Sequence, residues 1–94
     1  MILRLSGQID ATDKAIEKFE EALIHSPDDT LTIFALAQGL KRKGMYARAI
    51  PLLEKIVDNP YEDTRNKVMP LLLSCYQRQG DIMAVANLKA KMDQ

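Results

Sequence analysis

Tryptophan is absent from this sequence, and aromatic residues make up only 5% of it. A core built here has to come from aliphatic packing rather than from large rings. A single cysteine, Cys75, excludes an intramolecular disulfide and any site made of several thiolates. The one histidine, His25, has no second His or Cys at ligand spacing, so no metal site is expected. Neither sign of charge prevails, since 13 basic and 13 acidic side chains cancel. Nucleic-acid binders carry a basic excess to meet phosphate, so that class of partner is set aside. No apolar run approaches the roughly 20 residues that cross a bilayer, and no membrane insertion is expected. The opening Met-Ile-Leu-Arg-Leu-Ser-Gly places a charge inside a short apolar stretch. It does not read as a signal peptide, which points to a cytoplasmic protein. A Gly-rich phosphate loop, a paired His–Glu motif and a Gly-x-Ser-x-Gly elbow are all missing. No cofactor and no catalytic residue is expected, and the chain is read as not an enzyme.

What is present is helix-forming. The apolar fraction is 47%, and Ala, Leu, Ile, Lys, Glu and Gln dominate. The chain also repeats itself. Adding 34 to Ala15, Phe19, Ala22 and Pro27 lands on Ala49, Leu53, Ile56 and Tyr61, with Pro60 one residue early. Adding 36 to Ile33, Leu36, Ala37, Leu40 and Gly44 lands on Met69, Leu72, Leu73, Tyr76 and Gly80. The two extra residues fit the Asn59–Asp63 turn. Within each unit the apolar stripe follows the i, i+3, i+4, i+7 rule: Ile33, Leu36, Ala37 and Leu40, then Met69, Leu72, Leu73 and Tyr76. Ala49, Leu52, Leu53 and Ile56 give the same stripe on the helix between them.

Start and stop signals agree with the period. Asp10, Asp29, Asp63 and Asp81 are candidate N-caps, and Gly44 and Gly80 supply the positive φ that ends a helix. Pro27 and Pro60 follow helix ends. Pro51 and Pro70 fall inside helical patterns and are read as first-turn residues, where the lost N–H has no intrahelical partner. The pattern predicts helices at 11–25, 30–43, 46–58, 64–79 and 82–92, joined as antiparallel pairs, with a short lead-in at 2–6.

The period, the turn glycines and the small-residue positions resemble the tetratricopeptide repeat (TPR) family, a 34-residue helix–turn–helix with a W-x₂-L-G-x₂-Y…A-x₃-F…P pattern. Thr30–Tyr61 is similar to a whole repeat. Ile33, Leu36-Ala37, Leu40, Gly44 and Tyr46 stand for its first helix and turn, and Ala49, Leu53, Ile56 and Pro60 for its second helix. Ala15–Pro27 looks like the second helix of a preceding repeat, and Asn66–Met92 like a third, with Val85 in place of the small Ala. The resemblance implies one all-α domain over 1–94, a right-handed superhelical α-solenoid of about two and a half repeats. Its divisions are 11–27, 30–61 and 64–92. The small residues Ala22, Ala37 and Ala49 are expected to let helices approach closely. Lys89, in the place of Leu53, and Lys91 suit a helix on which nothing stacks. With only Met1–Ile9 before it, helix 11–25 is expected to leave apolar surface uncovered, which invites a homodimer through that N-terminal face.

Family members bind a peptide or partner helix in a concave groove lined by the first helix of each repeat. The resemblance places Leu31, Phe34, Gln38, Lys41 and Arg42 in that groove, with Lys67, Pro70, Ser74, Gln77 and Arg78 from the next repeat. Phe34 lies off the apolar stripe, so it either anchors a partner or packs beneath the lead-in. Lys41, Arg42, Lys43 and Arg78 near helix C-termini compensate the helix dipole. With Lys67 on the same face they also suit an acidic peptide or a terminal carboxylate. Some members clamp a terminal carboxylate with a Lys/Asn/Lys/Arg set, but Leu71 stands where the Arg is expected, so that clamp is not. Glu17, Glu20, Glu21, Asp28 and Asp29 form an acidic patch read as a solvated face, with head-to-tail contacts as its alternative. His25 is expected to cap carbonyls, and Cys75 to pack as a small hydrophobe. The function expected is a protein–protein interaction scaffold. Its alternative is a homo-oligomerising segment of a larger assembly, with an enzyme's regulatory appendage as a third reading.

Overall fold

The computed structural model describes residues 11–93. The expected lead-in within Met1–Ile9 and the Asp10 cap lie outside the described residues. Five helices run in order: α1 (Ala11–His25), α2 (Thr30–Arg42), α3 (Tyr46–Ile56), α4 (Glu62–Gln79) and α5 (Ile82–Met92). The described residues contain no strand, so the fold is all-α. No helix among them is long and apolar enough to cross a membrane.

Local chemistry explains most of the boundaries. Asp29 opens α2 by accepting from the Thr32 hydroxyl at 3.0 Å and, more weakly, from its backbone N–H. Asp81 opens α5 by accepting from the Ala84 N–H at 3.1 Å. Asp63 does not cap. Helix α4 begins earlier, after Tyr61, with no side-chain cap. The turn before it is held instead by Asn59 Oδ1, which accepts from the Tyr61 N–H at 2.9 Å, and by Arg65, which donates to the carbonyls of Asn59 and Pro60. Glu62 and Asp63 then occupy the first turn, where carboxylates meet the positive end of the helix dipole.

The turns after α2 and α4 share one design. Gly44 has φ of 78° and Gly80 of 73°. The N–H of Gly44 donates to Lys41 O and that of Met45 to Leu40 O; 36 residues on, Gly80 donates to Gln77 O and Asp81 to Tyr76 O.

Neither interior proline sits in a first turn. Pro51 is the sixth residue of α3 and Pro70 the ninth of α4. Each deprives the carbonyl four residues before it, Ala47 or Asn66, of its helical partner. Both of those residues and both prolines are exposed, so water can take the place of the missing donor.

The core joins Ile16 of α1, the stripe Ile33, Leu36, Ala37 and Leu40 of α2, and Ala49, Leu53, Ile56 and Val57 of α3 with its end. It continues through Val68, Leu72, Cys75 and Tyr76 of α4 to Leu88 of α5. The α4 stripe differs from expectation: Val68 and Cys75 are buried, whereas Met69 and Leu73 are only partly so. Residues 68–73 are apolar all round, and α4 packs on α2, α3 and α5, so periodicity alone could not choose its face. Ala22 also departs from expectation. It is exposed, and the close approach of α1 to α2 happens at Gly39, where an added Cβ would lie 3.1 Å from Ile16 Cγ1.

Each helix packs on its neighbours in the chain, and turns of two to five residues make successive helices antiparallel. Helices α2 and α4, both antiparallel to α3, therefore run the same way, and they touch. Exposed ion pairs cross between non-adjacent elements. Arg48 of α3 pairs with Glu20 of α1. Lys55 of α3 reaches back to Asp28 at 3.1 Å and to the Pro27 carbonyl at 3.0 Å, and Lys91 of α5 reaches Asp58 at 2.7 Å. The molecule measures 49 × 31 × 18 Å with a radius of gyration of 14.7 Å. A compact globule of this length has about 12 Å, so the shape is elongated.

Candidate groove between α2 and α4

The contact of α2 with α4 leaves a trough along their shared surface. Phe34, Gln38 and Lys41 from α2 face Lys67, Pro70, Leu71 and Ser74 from α4 around an open pocket of about 320 Å³. A second depression shares Gln38, Lys41 and Leu71 with it and adds Arg42. A third, of about 340 Å³, shares Gln38 and Arg42 and continues onto α1 over Ala15 and Phe19. The three form one continuous surface across α1, α2 and α4.

The sequence candidates divide cleanly on this geometry. Phe34, Gln38, Lys41, Arg42, Lys67, Pro70 and Ser74 line the trough. Leu31 does not, standing 80% exposed in the first turn of α2. Gln77 and Arg78 are exposed in the last turn of α4, beyond the last groove residue, Ser74. Lys43 turns away and pairs with Asp13 of α1 at 3.1 Å. Phe34 is partly buried against the core and lines the pocket; packing beneath the lead-in, its other reading, falls outside the described residues. Leu71 enters the groove although the sequence reading noted it only as a missing Arg.

Lys41, Arg42 and Lys67 form no ion pair among the described residues, and no carboxylate lines the trough with them. Beneath Lys41 lies the buried Cys75. Burial pushes its thiol above the usual range, and the Lys41 charge offsets part of that rise. A thiol so held is protonated and inert near neutrality. The other perturbed group, Tyr76, is raised by burial, then by its hydrogen bond to Glu54 and the charges of Glu54 and Asp81. Burial is the first cause of both shifts. His25 is exposed at the end of α1 and makes no side-chain hydrogen bond to a described residue. No group of three His, Cys, Asp or Glu among the described residues could hold a metal ion.

The acidic patch is partly engaged within the chain. Glu20 and Asp28 form the crossing ion pairs, and Asp29 caps α2. Sequence reading missed these partners because their spacings of 28 and 27 residues follow from how the helices stack, not from any local motif. The 36-residue step from Lys55 to Lys91, each reaching back to an aspartate in the turn before the preceding helix, was the available signal.

Compared with known proteins, the chain matches no family model, no curated protein and no solved structure.

Proposed function

We propose that this chain is a protein–protein interaction module of TPR-like repeats, which holds a peptide or partner helix in the trough between α2 and α4 and performs no catalysis. The observation that carries the reading is the shared pocket of Phe34, Gln38 and Lys41 with Lys67, Pro70, Leu71 and Ser74. An apolar floor with a few polar groups at its rim is the make-up of a recognition groove. The repeat reading draws support from the matching turn hydrogen bonds at Gly44 and Gly80, and from the recurring Lys55 and Lys91 contacts. Stacked helix pairs in a superhelical array produce both.

The test is selection of peptides from a displayed random library on the full chain. Affinities of the selected peptides are then measured for the wild type and for Phe34→Ala and Ser74→Trp. Loss of binding in both variants, with helical circular dichroism intact, is the expected result. Selected peptides that bind the variants as well as the wild type would place the site elsewhere.

Self-association is the second reading, favoured by Ile82 and Met83, 79% and 73% exposed at the start of α5. Sedimentation at several concentrations distinguishes it, since a monomer with peptide affinity sinks it and a dimer without peptide affinity supports it.

A further inference from the structure

We infer that the groove recognises an internal acidic segment of a partner protein, in which carboxylate side chains flank an apolar residue. The inference rests on the groove reading above and adds the chemistry of the occupant. Its basis is where the charges are. Outside the trough, five cations are held within the chain, Lys43 by Asp13, Arg48 by Glu20, Lys55 by Asp28, Lys91 by Asp58, and Arg65 by two carbonyls, while Lys14, Lys18, Arg78 and Lys89 are scattered singly on exposed surface. The three in the trough, Lys41, Arg42 and Lys67, have no carboxylate beside them. A neutral chain with a wholly cationic groove complements an acidic partner.

Placement of the cations sets the spacing of the acids. The pocket is lined from Phe34 to Lys41 on α2 and from Lys67 to Ser74 on α4, a rise of about 10 Å along each helix. Because α2 and α4 run the same way, Lys67 stands at the Phe34 end, and Lys41, continued by Arg42, stands at the other. Pro70 and Leu71 follow Lys67 along α4 toward the other end and, with Phe34, supply an apolar seat. An extended segment rising about 3.3 Å per residue crosses that distance in about three residues. The matching ligand is therefore acid, apolar residue, spacer, acid. A terminal carboxylate fits less well, because the cations stand apart rather than converge on one point.

The experiment measures anisotropy of fluorescein-labelled peptides, acetylated and amidated, with the core Asp-Leu-Ala-Asp or its neutral analogue Asn-Leu-Ala-Asn. The acidic peptide is expected to bind at least about tenfold more tightly at low salt, and this advantage should shrink as salt rises. Lys41→Glu and Lys67→Glu should each abolish the preference while keeping native circular dichroism, and Lys89→Glu, outside the groove, should not. Equal binding of the two peptides, abolished for both by Ser74→Trp, would overturn the acidic preference and leave the groove reading standing. Binding of both that is indifferent to Ser74→Trp, or of neither, would overturn both. Binding restricted to a peptide with a free C-terminal carboxylate would overturn the internal-segment assignment. So would displacement of the acidic peptide by oligothymidylate at equal charge.

Discussion

Tyr76 pairs a buried ring with a part-buried hydroxyl. Its ring closes α4 against the core, and its hydroxyl donates to Glu54 of α3. Tyr76→Phe keeps the ring and leaves a carboxylate that water can still reach, so the loss should be about 1 kcal/mol. Chemical denaturation at pH 7 measures it. Because the folded-state pKa lies above the unfolded value of about 10, both states hold the proton below that pH and the pairing is fully present. As pH rises past about 10, the unfolded chain gives up its proton first, and stability falls. Tyr76→Phe should therefore show a shallower decline above that pH than the wild type. Cys75 follows the same sign from about 8.5 upward. Buried under Lys41, it should react with a thiol reagent such as iodoacetamide only when the helix opens. At pH 8 its labelling rate should rise steeply with urea and be unresponsive to reagent concentration near saturation. Prompt labelling of the native protein would contradict the burial.

At the scale of elements, legibility followed the kind of signal. Helices whose ends carry chemistry were placed well: Asp29 and Asp81 cap, and Gly44 and Gly80 turn the chain, as local rules require. The start of α4 was misplaced because Asn59 and Arg65 define that turn, and Arg65 reaches it only once the helix has formed. The face of α4 was misjudged because Val68–Leu73 offers apolar residues in every direction. The groove was legible in its middle, where Phe34, Gln38, Lys41, Lys67 and Ser74 meet. It was overextended at both ends, because periodicity assigns a face but not how far a neighbouring helix accompanies it. Asp81 permits a direct test of capping. Helix α5 is 11 residues long and buries only Leu88, so it leans on its cap more than a central helix does. Asp81→Ala should cost about 1 kcal/mol, and Asp81→Asn much less, both read from thermal melts.

At the scale of the whole molecule, elongation has an energetic meaning. In a 49 × 31 × 18 Å body, most contacts join helices that follow one another in the chain, and α2 with α4 is the one further pair that touches among the described residues. Stability need not be uniform across such a body. Helix α3 is flanked on both sides, by α2 and α4, and buries Ala49, Leu53 and Ile56. Helix α5 packs on α4 alone and its ion pair from Lys91 to Asp58 is exposed, which is worth at most about 1 kcal/mol. Opening α5 therefore exposes little beyond Leu88 and the surface of Leu72 and Tyr76 that it covers, whereas opening α3 dismantles two interfaces. Hydrogen exchange should show α5 amides exchanging through a sub-global opening of lower free energy than the α3 amides. Leu88→Ala should lower α5 protection by about 2 kcal/mol or more, while α3 stays close to its wild-type value. If α3 and α5 lost protection in equal measure, the helices would be opening as one cooperative unit, and a description by neighbouring interfaces would fail for this chain.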